Sequence, residues 1–512
     1  MVALVGVFVV AVVFGLSLFP RLSAAQRVVD NGSPAFTNSR VAGDRAGVTM
    51  ISHAVDTLTP ITTPQGGASS EVPQLVAFVS KQTGLSQAQV LAALQKNFPH
   101  TTALLQAIPL SSVNSEIPKL VTFLSTTLHV PPATVLAGLK ANDPAIYQSI
   151  TNLPYVTNGW NNVPGTAGLT RYDGSPVRTV PQVRDYYSQD VIPVLEDQKG
   201  NFQNLASGSG VSYLAPLLLT IGIVVIIFAV AMALFARNTM PRELAGAAWG
   251  VVTAVGAMIV VGVLVTGLFP RLDGGQNLLD QAQPAFSQSR VAGDAATMTM
   301  VGHVIDFAAP AVTPQGGAAS EVPQLVASVS KQTGLSQAQV LGALTKNFPH
   351  TTALLEALPL SSVTAEIPKL VSFLGTTLHL SDAQVLAALK SNFPDLYQSI
   401  TNLPYVTGGW NNIPGTAGLT NFNGQPVHSV PQMGAYLSGE VVPYLAGQGP
   451  DYRTVVSDWP RIPVFPPLLL TVGIIVILYG LTMFVLSVRR PRPVTAGAAP
   501  PGVTPSPTPT AT

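Results

Sequence analysis

The run SKQTGLSQAQVL, Ser80 to Leu91, stands again without a change from Ser330 to Leu341. The offset (330 − 80 = 250) holds on both sides of it. NFPHTTALL recurs from Asn97 to Asn347, YQSITNLPYVT from Tyr147 to Tyr397, and Phe19-Pro-Arg-Leu from Phe19 to Phe269. Only before the last apolar stretch does the register slip by one, where Thr220 matches Thr471. Self-similarity of this kind fixes an architecture before any motif does. The chain is a tandem duplication.

A finer repeat lies inside each half. Glu71-Val-Pro-Gln-Leu-Val matches Glu116-Ile-Pro-Lys-Leu-Val (116 − 71 = 45), Val90-Leu-Ala-Ala-Leu matches Val135-Leu-Ala-Gly-Leu, and the second half repeats both from Glu321 and Glu366. The units cover residues 71–115, 116–156, 321–365 and 366–406. Each reads as three short helices. Pro73 is expected near the start of the first, where a missing N–H costs nothing, and Leu75, Val76 and Val79 share a face. Gly84 is the expected stop. Ser86 is the expected N-cap of the second helix, with Leu85 and Val90 as a hydrophobic staple. Pro99 closes that helix and opens the third, whose apolar side is Leu104, Leu105 and Ile108. Two units per half predict a compact helical bundle, since solenoids need three or more. Upstream, Val41 to Leu58 reads as a further helix with Arg40 and Asp44 paired on its surface. Downstream, Asp173-Gly174 and Asn423-Gly424 predict a small β-hairpin with both turn residues at positive φ. Pro181 to Leu195 reads as a helix, and Ala206-Ser-Gly-Ser-Gly as a flexible tether.

The chain has 512 residues, 47% hydrophobic and only 10% charged, against about 25% charged in soluble domains. Four segments have the ~20 apolar residues that a membrane crossing needs: Met1–Phe19, Leu214–Phe235, Gly246–Phe269 and Pro466–Val488. None holds Asp, Glu, Lys, Arg or His, which argues against a proton-coupled transporter or a channel. Gly222, Gly256, Gly262, Gly473 and Gly480 offer close helix approach, although glycine is common in such spans anyway. The first apolar run begins at Met1 without the basic stretch of a signal peptide. Because its internal copy cannot be a signal, it reads as an anchor whose basic leader lies upstream. Arg237 and Arg242 in the short loop, and Arg489, Arg490 and Arg492 in the Pro/Thr-rich tail, orient those segments toward the cytoplasm.

The expected fold is therefore an all-α membrane protein of two tandem units, each running transmembrane helix, ectodomain, transmembrane helix. The membrane helices fall at 1–22, 214–236, 246–270 and 466–488. Helical outer domains fall at 23–213 and 271–465, a cytoplasmic loop at 237–245 and a disordered tail at 489–512. Two spans per copy put both copies the same way up, as an intramolecular pseudo-dimer.

The chemistry is sparse. Net charge is +1 and cysteine is absent, so nucleic acid is not an expected partner and thiolate chemistry and cysteine-ligated metals are excluded. His53 with Asp56, repeated at His303 with Asp306, is the nearest to a reactive pair, a histidine oriented by a carboxylate; the plainer reading is a packing contact. His100 and His350 read as capping residues. Trp160 with Asn161 and Asn162, and Trp410 with Asn411 and Asn412, form a candidate interaction loop: an exposed indole stacking on a sugar, with amides bonding its hydroxyls. The plainer reading is an indole plugging the bundle. No catalytic residue, cofactor or metal is assigned. The expected role is a non-enzymatic envelope protein whose outer domains bind a protein or an envelope polymer. The alternatives are an accessory subunit of a transporter or secretion complex and, further off, a hydrolase using His53 and Asp56.

Overall fold

A computed structural model describes residues 2–33, 35–63, 67–206, 213–237, 242–265, 267–313, 317–456 and 464–489. The tether after Ala206, residues 238–241 of the short loop and the tail beyond Arg489 lie outside the described residues. The first half runs α1 (Val2–Gly15), α2 (Leu18–Gly32), α3 (Asn38–Thr62), α4 (Gly67–Thr83), α5 (Gln87–Asn97), α6 (Pro99–Ala107), α7 (Leu110–Leu128), α8 (Pro132–Asn142), α9 (Pro144–Gly159), α10 (Val180–Asp185), α11 (Ile192–Ala206) and α12 (Leu214–Arg237). The second runs α13 (Arg242–Val265), α14 (Leu268–Ala282), α15 (Gln288–Val312), α16 (Ala318–Thr333), α17 (Gln337–Asn347), α18 (Pro349–Ala357), α19 (Leu360–Leu378), α20 (Asp382–Asn392), α21 (Pro394–Gly409), α22 (Val430–Tyr436), α23 (Val442–Val456) and α24 (Phe465–Arg489). Single π-turns, Tyr186–Val191 and Leu437–Val441, join α10 to α11 and α22 to α23. Among the described residues there is no strand, and the fold class is all-α.

Local chemistry explains most boundaries. Ser86 caps α5 through a reciprocal bond with Gln89, and Ser336, Ser381, Thr179 and Ser429 do the same for α17, α20, α10 and α22. Each thereby satisfies N–H groups that a helix start leaves orphaned. Gly84 takes φ +73 just past α4. Pro99, Pro144, Pro349 and Pro394 open α6, α9, α18 and α21. Pro73, however, lies inside α4, which already begins at Gly67. The stretch upstream of the proline carries Glu71, whose carboxylate accepts from N–H groups of the other half.

The expected hairpin is a turn closed by one bridge, Thr170 to Pro176, with Thr420 to Pro426 in the second half. Gly174 N–H bonds Arg171 O at 3.1 Å and Arg171 N–H bonds Ser175 O at 2.8 Å. Only the glycine has positive φ (Gly174 +87, Gly424 +78). That is a type I turn followed by a left-handed glycine, with Asp173 in ordinary backbone.

By its contacts the chain divides into two compact units. One holds Met1–Ser23, Gly208–Gln276 and Asp458–Thr512. In it α1 packs on α12, and α13 on α24. Glycines set both crossings. A Cβ on Gly6 would lie 2.8 Å from Gly222 O, and one on Gly256 would lie 2.9 Å from Gly473 O. A Cβ on Gly480 would meet Thr253 N at 2.9 Å. The helix backbones touch there, the small-residue packing used where lipid removes the hydrophobic drive. A Cβ on Gly262 would meet nothing within 4 Å.

Among the described residues three helices are long and apolar enough to cross a membrane, Ala247–Val265, Gln288–Val312 and Phe465–Ser487, and the number rises to as many as five if each of two bent pairs is one span. The first apolar run is one of those pairs. It breaks after Gly15, with Ser17 at φ +48, and α1 and α2 meet at 56°. The 14 residues of α1 span only about 21 Å. Gln288–Val312, which is α15, is apolar for another reason. Over half of it is buried inside the other unit, and it carries Arg290, Asp294, His303 and Asp306.

That other unit holds Ala24–Ser207 and Asn277–Ser457. Both segments share one compact body. The long helix α3 lies on α21 of the other half, α15 lies on α9, and α6 lies on α18. Val55, Leu110, Trp160 and Val180 belong to one apolar cluster with Met300, Phe307, Leu374 and Leu396. Neither half closes this core alone.

Four glutamates stitch the halves together. Glu71 accepts from the N–H groups of Asp395 and Leu396, at 3.3 and 2.8 Å, at the start of α21. Glu366 returns the favour at the start of α6, to His100 and Thr101, at 3.3 and 2.8 Å. Glu116 caps α18 through His350 and Thr351, and Glu321 caps α9 through Ala145 and Ile146. All four are under 10% exposed. A carboxylate at a helix N-terminus meets both orphan donors and the positive end of the dipole. The units therefore pair reciprocally across the halves, 71–115 with 366–406 and 116–156 with 321–365.

Candidate functional site

The structure separates His53 from Asp56. His53 Nδ1 lies 2.7 Å from Asn402 Oδ1, and its ring stacks on Tyr405 at 4.7 Å. Asn402 commits its Nδ2 to Gln398 O at 2.8 Å, so its oxygen is the acceptor and His53 Nδ1–H donates. Asp56 instead pairs with Arg184 and accepts from Gln398 Nε2 at 3.0 Å. His303 repeats the arrangement with Asn152 and Tyr155, and Asp306 accepts from Gln148. His100 and His350 do not cap their own helices. Each Nδ1 meets a carbonyl near the C-terminus of the other's helix, Glu356 O and Gln106 O, both at 2.8 Å. A carbonyl only accepts, so the imidazoles donate.

Trp160 and Trp410 are each 1% exposed, so the stacking platform expected at these loops is corrected to core. Each indole plugs the end of its bundle, and its carbonyl accepts from Val180 or Val430 N–H, at 2.9 and 2.8 Å. Asn161, Asn162, Asn411 and Asn412 are exposed on the turn beside them. Burying so large an apolar ring outweighs the unpartnered Nε1 that both indoles carry.

The expected surface pair Arg40 with Asp44, and its copy Arg290 with Asp294, is buried instead. Expected on the surface of α3, Arg40 and Asp44 are only 6% and 9% exposed. Arg40 Nη2 donates to Thr420 O at 2.6 Å and Asn421 O at 3.1 Å, and its guanidinium lies 4.8 Å from the Phe422 ring centre. Arg290 lies 4.7 Å from the Tyr172 ring centre and reaches Thr170 Oγ1. Each arginine thus grips the turn loop of the opposite half. A guanidinium over a ring and on carbonyls is a desolvated cation compensated in part, because Nη1 of each arginine is buried without a hydrogen-bond partner. Burial pushes the Asp44 carboxyl up to about 7, against the pull of Arg40 and the Tyr436 hydroxyl. It pushes Asp294 up to about 6, where Tyr187 and Tyr186 hydroxyls hold it down. The clue in the sequence was Arg and Asp four apart in both copies, with aromatics at 172, 186, 422 and 436. Their burial was invisible because the covering residues lie in the other half.

Both aspartates face a cavity of about 190 Å³ within this unit. Its wall is almost wholly apolar and aromatic, with Val48, Phe202, Met298, Leu437 and Tyr452 among the lining residues. Burial also raises the Tyr186, Tyr187 and Tyr436 phenols well above the usual range, so they act as neutral hydrogen-bond donors. A roomy apolar pocket with a few convergent polar groups is the ordinary form of a small-molecule site. Neither a family model, nor a characterised protein, nor a solved structure matches this chain.

Proposed function

We propose that the chain is a four-span protein of the cell membrane whose two outer segments make one fused helical domain outside the cell. In this reading the domain is a binding or scaffold module for an envelope protein or polymer, and not an enzyme. One observation carries it: the reactive polar groups are spent on joining the halves. His53 and His303 serve Asn402 and Asn152, and the four buried glutamates cap helices of the opposite half. A rigid, pre-joined body suits recognition, where pre-organisation lowers the entropic cost of binding. The orientation rests on Arg237, Arg242, Arg489, Arg490 and Arg492 beside the spans.

The test uses the whole chain, because a fragment such as 23–213 lacks half of its core. Tagged chain purified from envelope extracts in mild detergent should retain a defined envelope protein or polysaccharide. Co-purification of a stable multi-pass membrane complex would support the accessory-subunit reading instead, and retention of neither would sink both. The chain has no cysteine, so single cysteines report topology cleanly. Ser86→Cys should react with a membrane-impermeant thiol reagent on intact cells and Thr239→Cys should not; the reverse pattern would overturn the orientation.

A further inference from the structure

The 250-residue offset makes Asp44 and Asp294 equivalent, yet their surroundings differ at one decisive position. Asp294 Oδ1 accepts from the Tyr187 hydroxyl at 3.2 Å, and that hydroxyl is held by Thr297 Oγ1 at 3.0 Å. The residue equivalent to Tyr187 is Leu437, and the one equivalent to Thr297 is Gly47. Asp44 has therefore lost the donor that its copy keeps. Its Oδ1 is buried without a hydrogen-bond partner, and so is Gln448 Oε1. Asp44 is 9% exposed and Gln448 8%. Both residues line the cavity, and Leu437 lies in the same wall. Leaving a buried acceptor unserved costs on the order of 1–3 kcal/mol, which a ligand that supplies the donor would recover.

We infer that this cavity binds a small neutral alcohol or phenol, its hydroxyl donating to Asp44 and its apolar body lying among the aromatic rings. Three properties choose the ligand class. The ionised Asp44 carboxylate and the Gln448 amide oxygen are both acceptors, so the head group that serves them must be a donor. Arg40 acts electrostatically on Asp44, so an ammonium head would be repelled by the guanidinium and a carboxylate by the aspartate; a neutral hydroxyl suffers neither. An apolar cavity of about 150 Å³ admits benzene, so about 190 Å³ accommodates one ring with a short alkyl group. The site is asymmetric: the donor that Tyr187 supplies in one half must come from the ligand in the other.

The probes are 4-ethylphenol and ethylbenzene, alike in shape and differing in the hydroxyl. Binding to the full chain in lipid nanodiscs, with empty nanodiscs as the partition control, is followed by titration calorimetry. The phenol should bind saturably and about tenfold more tightly than ethylbenzene. Leu437→Tyr should erase that preference by giving Asp44 the hydroxyl that Tyr187 gives Asp294. Val441→Phe, which fills the cavity from another wall residue, should weaken both probes at least tenfold and serves if the first variant misfolds. No saturable binding beyond empty nanodiscs, equal affinity for the two probes, or phenol binding indifferent to either folded variant would overturn the inference. No macromolecular partner enters this measurement, so it stands or falls apart from the envelope-binding reading.

Discussion

The two cross-half pairs of helical units are capped alike and filled differently. In the pair of 71–115 with 366–406, two edge-on aromatic contacts seal the seam, Phe78 on Phe393 at 6.2 Å and Phe98 on Phe373 at 5.5 Å. In the pair of 116–156 with 321–365, Phe123 meets Phe348 at 5.5 Å, but Asp143 and Ser328 occupy the two remaining equivalent positions. Both losses fall on one seam, and the helices pair there regardless. The reciprocal glutamate caps are present in all four units. Directional bonds to helix ends therefore fix how the units dock, while the ring contacts are interchangeable filling.

The largest effect should follow from breaking a cap. Glu116→Leu strands one buried and one half-buried N–H at the start of α18, and Glu71→Leu does the same at the start of α21. At roughly 1–3 kcal/mol for an unserved buried group, each substitution should cost about 3 kcal/mol. The effect should be similar in the two pairs despite their different filling. Thermal unfolding of the full chain in detergent, followed by tryptophan fluorescence, measures it. Destabilisation confined to the pair with one aromatic contact would show that rings and not caps carry the docking.

That contrast also marks what a single sequence discloses. The Ser86 cap, the Gly84 stop and the helix start at Pro99 were legible because each rests on residues a few positions apart. The pairing of the units was not. Two similar units within one half look as fit to pack together as two units across halves, and the deciding bonds join residues such as Glu71 and Leu396. Arg40 and Asp44 looked like a surface pair for the same reason: Thr420, Phe422 and Tyr436, which surround them, come from the second half. Trp160 was ambiguous because a loop tryptophan beside two asparagines has the same composition whether it faces water or the core. Of the candidate cavity, only its aromatic residues could be seen in advance, and not that they converge.

Restoring the missing filling should have a smaller effect, of opposite sign. The double variant Asp143→Phe, Ser328→Phe rebuilds at this seam the contact that Phe78 and Phe393 make at the other. An edge-on aromatic pair contributes about 0.5–1.5 kcal/mol beyond its buried area, so a gain of about 1–2 kcal/mol is expected. Each single substitution should give less than half of it. Additive single effects, measured by the same unfolding assay as a double-mutant cycle, would show that the two positions do not meet.

The smallest effect separates the charge at this seam from its shape. Asp143 begins α9 without a side-chain bond to the helix, while Glu321 already caps that N-terminus. Burial, and then the neighbouring Glu321 carboxylate, raises the Asp143 acid above its ordinary value of 3.8. A folded-state value above the unfolded one means that the protonated acid favours the fold. That contribution is complete below about pH 4 and is lost as pH rises through the folded value. At pH 7 the native state therefore carries an ionised Asp143 that it holds at a disadvantage. Asp143→Asn removes the charge at nearly constant shape and leaves a residue suited to a helix start. It should raise stability at pH 7 and change little at pH 3.5. The equivalent Phe393 has no proton to exchange, so Phe393→Leu should shift stability by the same amount at both pH values. An Asp143→Asn gain that is independent of pH would assign the benefit to a better cap and leave the seam's charge without consequence.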